Sequence, residues 1–133
     1  MRIVAIISSP KHNGNTAMLV REALKTADQL GAETEEIFLA DYHLEFCQDC
    51  MRCMSQGVCS IPDDLEALKQ KIAISDGIIL GSPTHGMAPN ALMKNFLDRI
   101  GMFTVYTGGW SGKYVAGISS AGGFGAKHTA KQL

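Results

Sequence analysis

The chemistry in this chain is concentrated in its cysteines, all of which lie within one short segment. Cys47, Cys50, Cys53 and Cys59 are spaced C-x2-C-x2-C-x5-C, and they are the only cysteines in the sequence. Two consecutive x2 gaps are typical of an iron–sulfur loop, whereas zinc sites usually pair two C-x2-C knuckles across a longer stretch. The spacing therefore favours a [4Fe–4S] cluster held by all four thiolates. Zinc, a redox disulfide pair and unliganded thiols are the alternatives.

A second set of candidate ligands lies in a polar turn near the N-terminus, in front of a predicted helix. It contains Ser9, Lys11, Asn13, Asn15 and Thr16. The free N–H groups and the dipole of a helix N-terminus favour an anion, and hydroxyl groups can donate to phosphate oxygens. The turn has neither the P-loop pattern nor G-x-G-x-x-G. The alternative interpretation is an ordinary strand–helix turn.

Alternating strands and helices must position these residues. Apolar patterning predicts strands over residues 2–8, 33–39, 77–82 and 114–119. It predicts helices that begin at Thr16, at Asp63 or Asp64, and at Pro89 or Asn90, with loops at 83–88, 101–112 and 121–125 and a last helical segment at 126–133. This alternation indicates an α/β fold with a parallel sheet. Turns that follow parallel strands share one rim, so we expect Asn15, Thr84 and Gly122 to lie together.

Composition limits the classes of function. The chain has 133 residues, enough for one domain, and 46% of them are hydrophobic. A net charge of −1 gives no basic field for nucleic acid or anionic lipid, and the apolar runs are too short to span a bilayer. The first residues are better interpreted as a strand than as a secretion signal. Clustered cysteines without such a signal indicate a reducing cytoplasm.

Three sequence fragments, together with the cysteine spacing, resemble NAD(P)H-dependent FMN reductases, and the flavodoxin-like iron–sulfur flavoproteins among them in particular. Ser9-Pro10-Lys11-His12-Asn13-Gly14-Asn15-Thr16 looks like the S-P-[KR]-x-x-G-N-T turn of that family. Gly81-Ser82-Pro83-Thr84-His85-Gly86-Met87 resembles its second flavin loop, and Lys94-Asn95-Phe96-Leu97-Asp98-Arg99 is similar to its K-x-F-[LI]-D-R stretch. The cysteine spacing matches the compact cluster motif of the iron–sulfur flavoproteins. The resemblance runs from residue 1 to about residue 125.

The resemblance implies a flavodoxin-like, doubly wound sheet of strand order 2-1-3-4 that binds FMN. Residues 1–133 would form one FMN-binding domain with an inserted cysteine loop at 47–59, and the family's fifth strand and last helices would be missing from this chain. FMN phosphate would be held by Ser9, Lys11, Asn13, Asn15 and Thr16. The isoalloxazine ring would be lined by Pro83, Thr84, His85, Gly86 and Met87, and approached from its far side by Ala121, Gly122 and Gly123. His85 stands where the family often has tyrosine.

By the same resemblance we expect an FMN-dependent oxidoreductase that transfers electrons between FMN and the cluster, and on to a small molecule or a protein. The cofactors would carry the chemistry, so no catalytic side chain is predicted. NAD(P)H or ferredoxin would be the donor, and the protein would form a homodimer or homotetramer. The alternatives are a cluster-free FMN or quinone reductase and a zinc-stabilised binding module. Asp63 and Asp64 are interpreted as helix caps, and Asp98 and Arg99 as a solvated helix end.

Overall fold

The computed structural model describes the backbone of residues 1–133 and the side chains of residues 1–101, 104 and 108–133. Strands and helices alternate along the chain, as the apolar patterning predicts. In chain order the elements are β1 (Arg2–Ile7), α1 (Asn15–Gln29), β2 (Glu33–Phe38), a 3-10 turn (Leu39–Asp41), α2 (Arg52–Gln56), α3 (Leu65–Ala73), β3 (Gly77–His85), β4 (Ala88–Pro89), α4 (Ala91–Thr107), β5 (Tyr114–Ser120) and α5 (Ala126–Ala130).

The four long strands form a parallel sheet. β1 pairs with both β2 and β3, and β3 pairs with β5, so the spatial order is β2-β1-β3-β5. This is the predicted order 2-1-3-4, with β5 as the strand predicted fourth. The expectation of a missing fifth strand is corrected, because the two-residue β4 is present and pairs antiparallel with the end of β3.

Both faces of the sheet are covered, which explains why β1 is apolar at consecutive positions rather than at alternate ones. Ala5 and Ile7 pack on one face against Ala17, Val20 and Leu24 of α1. On the opposite face the buried strand residues meet α3 and α4; the members of this larger cluster include Val4, Ile6, Leu68, Ile72, Ile78, Leu80, Met93, Phe96 and Ile100. The predicted doubly wound arrangement is therefore confirmed.

Two predicted loops are wrong in part. Residues 83–85 continue β3, because Thr84 and His85 pair with Pro89 and Ala88 of β4, a hairpin contact that apolar patterning does not reveal. The predicted loop at 101–112 is helical as far as Thr107. Glycine inside a helix costs about 1 kcal/mol without ending it, so Gly101 is tolerated. The helix ends only at Gly108, whose φ of 66° is left-handed and suits glycine.

None of the helices that the structure describes combines the length and the apolar character needed to cross a membrane.

A cluster of charged side chains lies at the end of the sheet opposite the rim where the polar turns gather. Glu35 of β2 accepts a hydrogen bond from Arg2 Nη2 at 2.7 Å and another from Lys71 of α3. The Lys71 ammonium lowers the pKa of Glu35; partial burial opposes this effect, and Arg2 reinforces it. The cluster therefore joins β1, β2 and α3 through one carboxylate.

We predict that Glu35→Gln lowers the free energy of unfolding by about 1 kcal/mol at neutral pH. Because the folded pKa lies below the unfolded value of about 4.3, the stabilisation by Glu35 is complete above that value and is lost as pH falls through the folded pKa. The difference between wild type and variant should therefore shrink in urea titrations run at successively lower pH.

The matched control is Glu22→Gln, because Glu22 meets only the exposed Lys25, at 3.8 Å. That variant should unfold like wild type at every pH. A Glu35→Gln deficit of the same size at pH 3 and pH 7 would contradict the assignment.

Candidate functional site

A cleft of about 470 Å³ lies at the carboxyl ends of β1, β3 and β5. It is built by the turns that follow these three strands, and Asn15, Thr84 and Gly122 meet in it as expected. Its lining residues are Ser9, Pro10, Lys11, Gly14, Asn15, Thr16, Pro83, Thr84, His85, Ser120, Ala121 and Gly122.

The β1–α1 turn forms one wall of the cleft and is held by its own hydrogen bonds. Ser9 Oγ accepts from the Lys11 N–H at 3.2 Å, and the Gly14 N–H donates to the Lys11 carbonyl at 3.0 Å. α1 begins directly after Gly14, and none of the described side chains caps its first turn. The first N–H groups of α1 therefore stay available at a wall of the cleft, where they favour an anion.

Pairs of hydroxyl groups join the walls of the cleft. Thr16 Oγ1 lies 2.7 Å from Ser120 Oγ, and Thr84 Oγ1 lies 2.9 Å from Ser119 Oγ. Ser119 and Ser120 are absent from the predicted site, although their place at the end of the last strand was a signal for them. The first pair ties β5 to the start of α1, and the second ties it to β3, both at the rim.

Asn90 braces the rim from below. Its side chain is buried, donates to the Ser8 carbonyl at 2.8 Å and accepts from the Met93 N–H at 3.2 Å, which caps α4. The Asn90 N–H donates to Ser82 Oγ at 3.1 Å. One residue therefore connects the ends of β1 and β3 to the start of α4.

Four predicted FMN residues do not line this cleft. Asn13 Oδ1 accepts a hydrogen bond from Arg21 at 3.3 Å, and Gly86 and Gly123 are exposed. Met87 lines a neighbouring apolar groove with Phe124, Lys127, His128 and Lys131. The Met87 side chain packs closely on Gly125, since a Cβ there would lie 2.8 Å from Met87 Sδ.

The four cysteines line a separate small cavity, together with Gln48, Asp49, Met51, Ile61 and Arg99. Asp49 and Met51 have left-handed φ angles of 50° and 59°, and α2 begins just after Met51. The Arg52 N–H and the Ser60 hydroxyl lower the pKa of the exposed Cys50 thiol. Among the residues whose side chains are described, none lines both this cavity and the cleft.

Among the side chains that the structure describes, no group of three or more His, Cys, Asp or Glu is placed to hold a metal ion. The cavity has a volume of about 20 Å³, room for roughly one water molecule. The donor set nevertheless fits a cluster, because all four cysteines line one cavity and Arg99 beside them has a buried Nε with no partner among the described atoms. Cys47 and Cys50 are exposed, so the loop can widen without opening the core.

Arg99 was interpreted as part of a solvated helix end, and the structure corrects this. Asp98 is indeed half exposed, but the side chains of Arg99 and Asp63 are 1% and 0% exposed and form an ion pair at 2.6 Å. Burial alone would raise the pKa of Asp63, but hydrogen bonds from Arg99 and from the N–H groups of Leu65 and Glu45 hold it below its ordinary value. The N-cap of α3 is Asp64, without a cap bond from its side chain, whereas Asp63 precedes it and accepts from both Arg99 and the Leu65 N–H.

A second ion pair supports the far end of the cysteine loop. Lys69 donates to Glu66 Oε1 at 2.8 Å and to the Gly57 carbonyl at 3.0 Å, and Glu66 also accepts from the Cys59 N–H at 3.1 Å. Lys69 is itself buried. Cys59 is thus held through its main chain by Glu66 and through its sulfur by Arg99.

Comparison with known proteins places this geometry among flavoproteins. A family model described as NADPH-dependent FMN reductase matches residues 1–133. An iron–sulfur flavoprotein of Methanocaldococcus jannaschii is 43% identical over 99 residues, which cover 74% of this chain and 51% of that protein. One from Archaeoglobus fulgidus is 34% identical over 100 residues, covering 75% and 46%. The chain spans about half the length of the curated relatives it matches.

Solved structures agree on the fold. The NAD(P)H:quinone oxidoreductase of Methanothermobacter marburgensis superposes with a TM-score of 0.77 at 18% identity, covering 93% of this chain and 65% of that one. The predicted flavodoxin-like fold is confirmed, and so is the resemblance to iron–sulfur flavoproteins.

α1 packs closely on β3. A Cβ on Gly81 would lie 2.7 Å from Val20 Cγ2 and 3.6 Å from Thr16 Cγ2, and Val20 is fully buried. We predict that Gly81→Ala lowers the free energy of unfolding by about 1–3 kcal/mol in urea, because α1 must shift outward.

Gly77→Ala is the matched control on the same strand and the same face. Its Cβ would meet nothing closer than Ile3 Cγ1 at 3.6 Å, so stability should change by less than about 0.5 kcal/mol. Equal effects of the two substitutions would show that α1 does not lie this close to β3.

Proposed function

The chain belongs to the NADPH-dependent FMN reductase family, and we propose that residues 1–133 are the FMN-binding domain of a redox flavoprotein that also carries a [4Fe–4S] cluster. The observation that carries the first half of this proposal is the rim cleft, in which three turns meet. The second half rests on four thiols around one cavity and on relatives named iron–sulfur flavoproteins.

The wall formed by the β1–α1 turn suits the phosphate of FMN. Ser9, Asn15 and Thr16 supply polar side chains, Lys11 supplies a positive charge, and the uncapped first turn of α1 supplies N–H donors. Asn13 belongs to the proposed set by its place in the turn. In this structure its side chain is turned to Arg21 instead.

The opposite wall suits a flat ring. Pro83, Thr84 and His85 end β3, while Gly86 and Met87 form the turn beyond them. Across the cleft, Ala121 and Gly122 present a surface without bulk, and a Cβ on Gly122 would meet no atom within 4 Å. Gly123 follows in the same turn. Backbone groups there can approach the ring and donate hydrogen bonds that tune its potential.

The four cysteines would hold the cluster through their deprotonated sulfurs. FMN exchanges electrons in pairs or singly and the cluster singly, so together they would connect two-electron and one-electron partners. The chain's own task is to bind the phosphate, place the ring at the rim and shield the sulfurs. No side chain is required to act as a general acid or base.

We further propose NAD(P)H or ferredoxin as the donor and a homodimer or homotetramer as the working form. The two sites share no lining residue in one chain, which is consistent with electron transfer between sites on neighbouring subunits. A thiol-rich loop of this kind needs a reducing compartment, so the proposed location is the cytoplasm.

Thr16→Val tests the phosphate wall. The substitution keeps the volume of a buried side chain but removes the hydroxyl, so FMN should bind about tenfold more weakly in fluorescence titrations. Thr16→Ser should restore the affinity, since it keeps the hydroxyl.

Thr26→Val is the control on the same helix, because Thr26 is exposed and bonds only to the Glu22 carbonyl. Wild-type FMN affinity in Thr16→Val would contradict the assignment of this wall to FMN.

Anaerobic purification followed by iron, sulfide and FMN quantitation tests the cluster. About four irons and four sulfides per chain are expected, with a broad visible shoulder that bleaches on reduction. The double variant Cys47→Ala/Cys50→Ala should lose iron and sulfide but keep FMN. Ser55→Ala, in the same loop, should keep all three.

Other results separate the alternatives. Zinc at about one per chain without sulfide would indicate a structural zinc site. Bound FMN without metal would indicate a cluster-free FMN or quinone reductase.

A further inference from the structure

Arg99 is a buried cation that contacts a cysteine sulfur directly. It projects from α4, its Nη1 and Nη2 both donate to Asp63, and Nη1 also donates to the Glu45 carbonyl. Nη2 lies 3.3 Å from Cys59 Sγ and donates to it. The guanidinium is therefore held in one orientation, with one edge on a carboxylate and one N–H on a thiol.

The guanidinium of Arg99 has more N–H donors than its ion pair with Asp63 uses. Asp63 is already satisfied by two main-chain N–H groups, from Glu45 and Leu65, in addition to Arg99. Arg99 Nε is buried without a partner among the described atoms. A buried donor without an acceptor costs about 1–3 kcal/mol. An acceptor bound in the cysteine cavity would remove this cost for Arg99 Nε.

A comparison within the chain shows what is particular to Arg99. Arg2 also has a buried Nε without a partner among the described atoms, but its carboxylate partners are Glu33 and Glu35, and it does not line the cysteine cavity. Only Arg99, of these two, lines a cavity with the four cysteines. What distinguishes Arg99 from Arg2 is therefore that its unpartnered Nε belongs to a residue of the cysteine cavity.

Resting on the proposed function, we propose that Arg99 is the charge-balancing and positioning residue of the cluster. Its Nη2–H donates to the Cys59 thiolate. As the pole of the Arg99–Asp63 pair that lines the cavity, its guanidinium offsets part of the negative charge that four thiolates bring to the centre. Asp63 and the Glu45 carbonyl fix the guanidinium in the orientation that makes this contact.

The expected consequence is a higher reduction potential. Reduction adds an electron to a centre that is already negative, and a nearby buried cation stabilises the reduced form more than the oxidised form. Hydrogen bonds to ligand sulfurs act in the same direction. Arg99 thus acts on the centre through Cys59 and through its field, without itself accepting electrons.

The test uses Asp63→Asn/Arg99→Met, which removes both charges so that no buried carboxylate is left unpaired. Wild type and variant are loaded with iron and sulfide anaerobically, and the cluster is followed by visible and EPR spectra in a redox titration. At a fixed ambient potential the ratio of reduced to oxidised cluster should fall on the order of tenfold. Arg2→Met/Glu35→Gln is the control, and it should leave that ratio unchanged.

Arg99→Lys provides a second measurement in case the double variant does not fold or load. Lysine keeps the charge but lacks the planar fork that serves Asp63 and Cys59 together. Its ratio of reduced to oxidised cluster should lie between those of wild type and the double variant, or below wild type if only Arg99→Lys loads.

The potential of the loaded protein decides the outcome, whatever the loading yield. A wild-type ratio in every Arg99 variant that loads would overturn the inference and leave the cluster proposal standing. A wild-type protein that takes up neither iron nor sulfide would overturn the cluster proposal, and the inference with it.

Discussion

Parallel pairing of β1, β3 and β5 is the constraint on which the rest of the structure depends. Because these strands run in one direction, the turns that follow them must leave from the same rim, however far apart they lie in sequence. Thr16 and Ser120 are separated by 104 positions and yet their hydroxyl oxygens are 2.7 Å apart. The position of the cleft therefore follows from strand direction, whereas its polar lining comes from the residues of this chain's own turns.

The cysteine cavity depends on a different interaction, a buried ion pair. Removing Arg99 and Asp63 from water has a large cost, which is offset here because Asp63 accepts from Arg99, Glu45 and Leu65. Burial opposes the charge on Arg99 as well, yet its bonds to Asp63 and Cys59 raise its pKa above the ordinary value. The pair links α4 to the start of α3 and to the cysteine loop, which otherwise has little buried apolar surface.

Local patterning predicted most of the fold but little of the polar network. The apolar run of β1, the left-handed Gly31 after α1 and the cap at Asn90 are all encoded within a few residues, so these elements could be inferred. The extension of β3 through His85 requires pairing with β4, and the burial of Arg99 requires a loop from the far side of β2. Neither fact is visible in the neighbouring sequence. Asp98-Arg99 was predicted to be exposed, which is correct for Asp98 and wrong for Arg99. The FMN residues came from the resemblance, and most of them do meet in the cleft.

Helix α4 connects the two candidate sites mechanically. Its cap, Asn90, holds the ends of β1 and β3 under the cleft, and Arg99 on the same helix holds Cys59 and Asp63. At a rise of about 1.5 Å per residue these two anchors are about 14 Å apart along the helix axis. Asn95, between them, donates to the Leu44 carbonyl and so ties the same helix to the segment leading into the cysteine loop. Since a helix packed into a core moves as a rigid body, the relative position of cleft and cavity within one chain is set by α4 rather than by the loops that carry the ligands. The loops around the cleft and the cavity can then move without changing the position of Asn90 relative to Arg99.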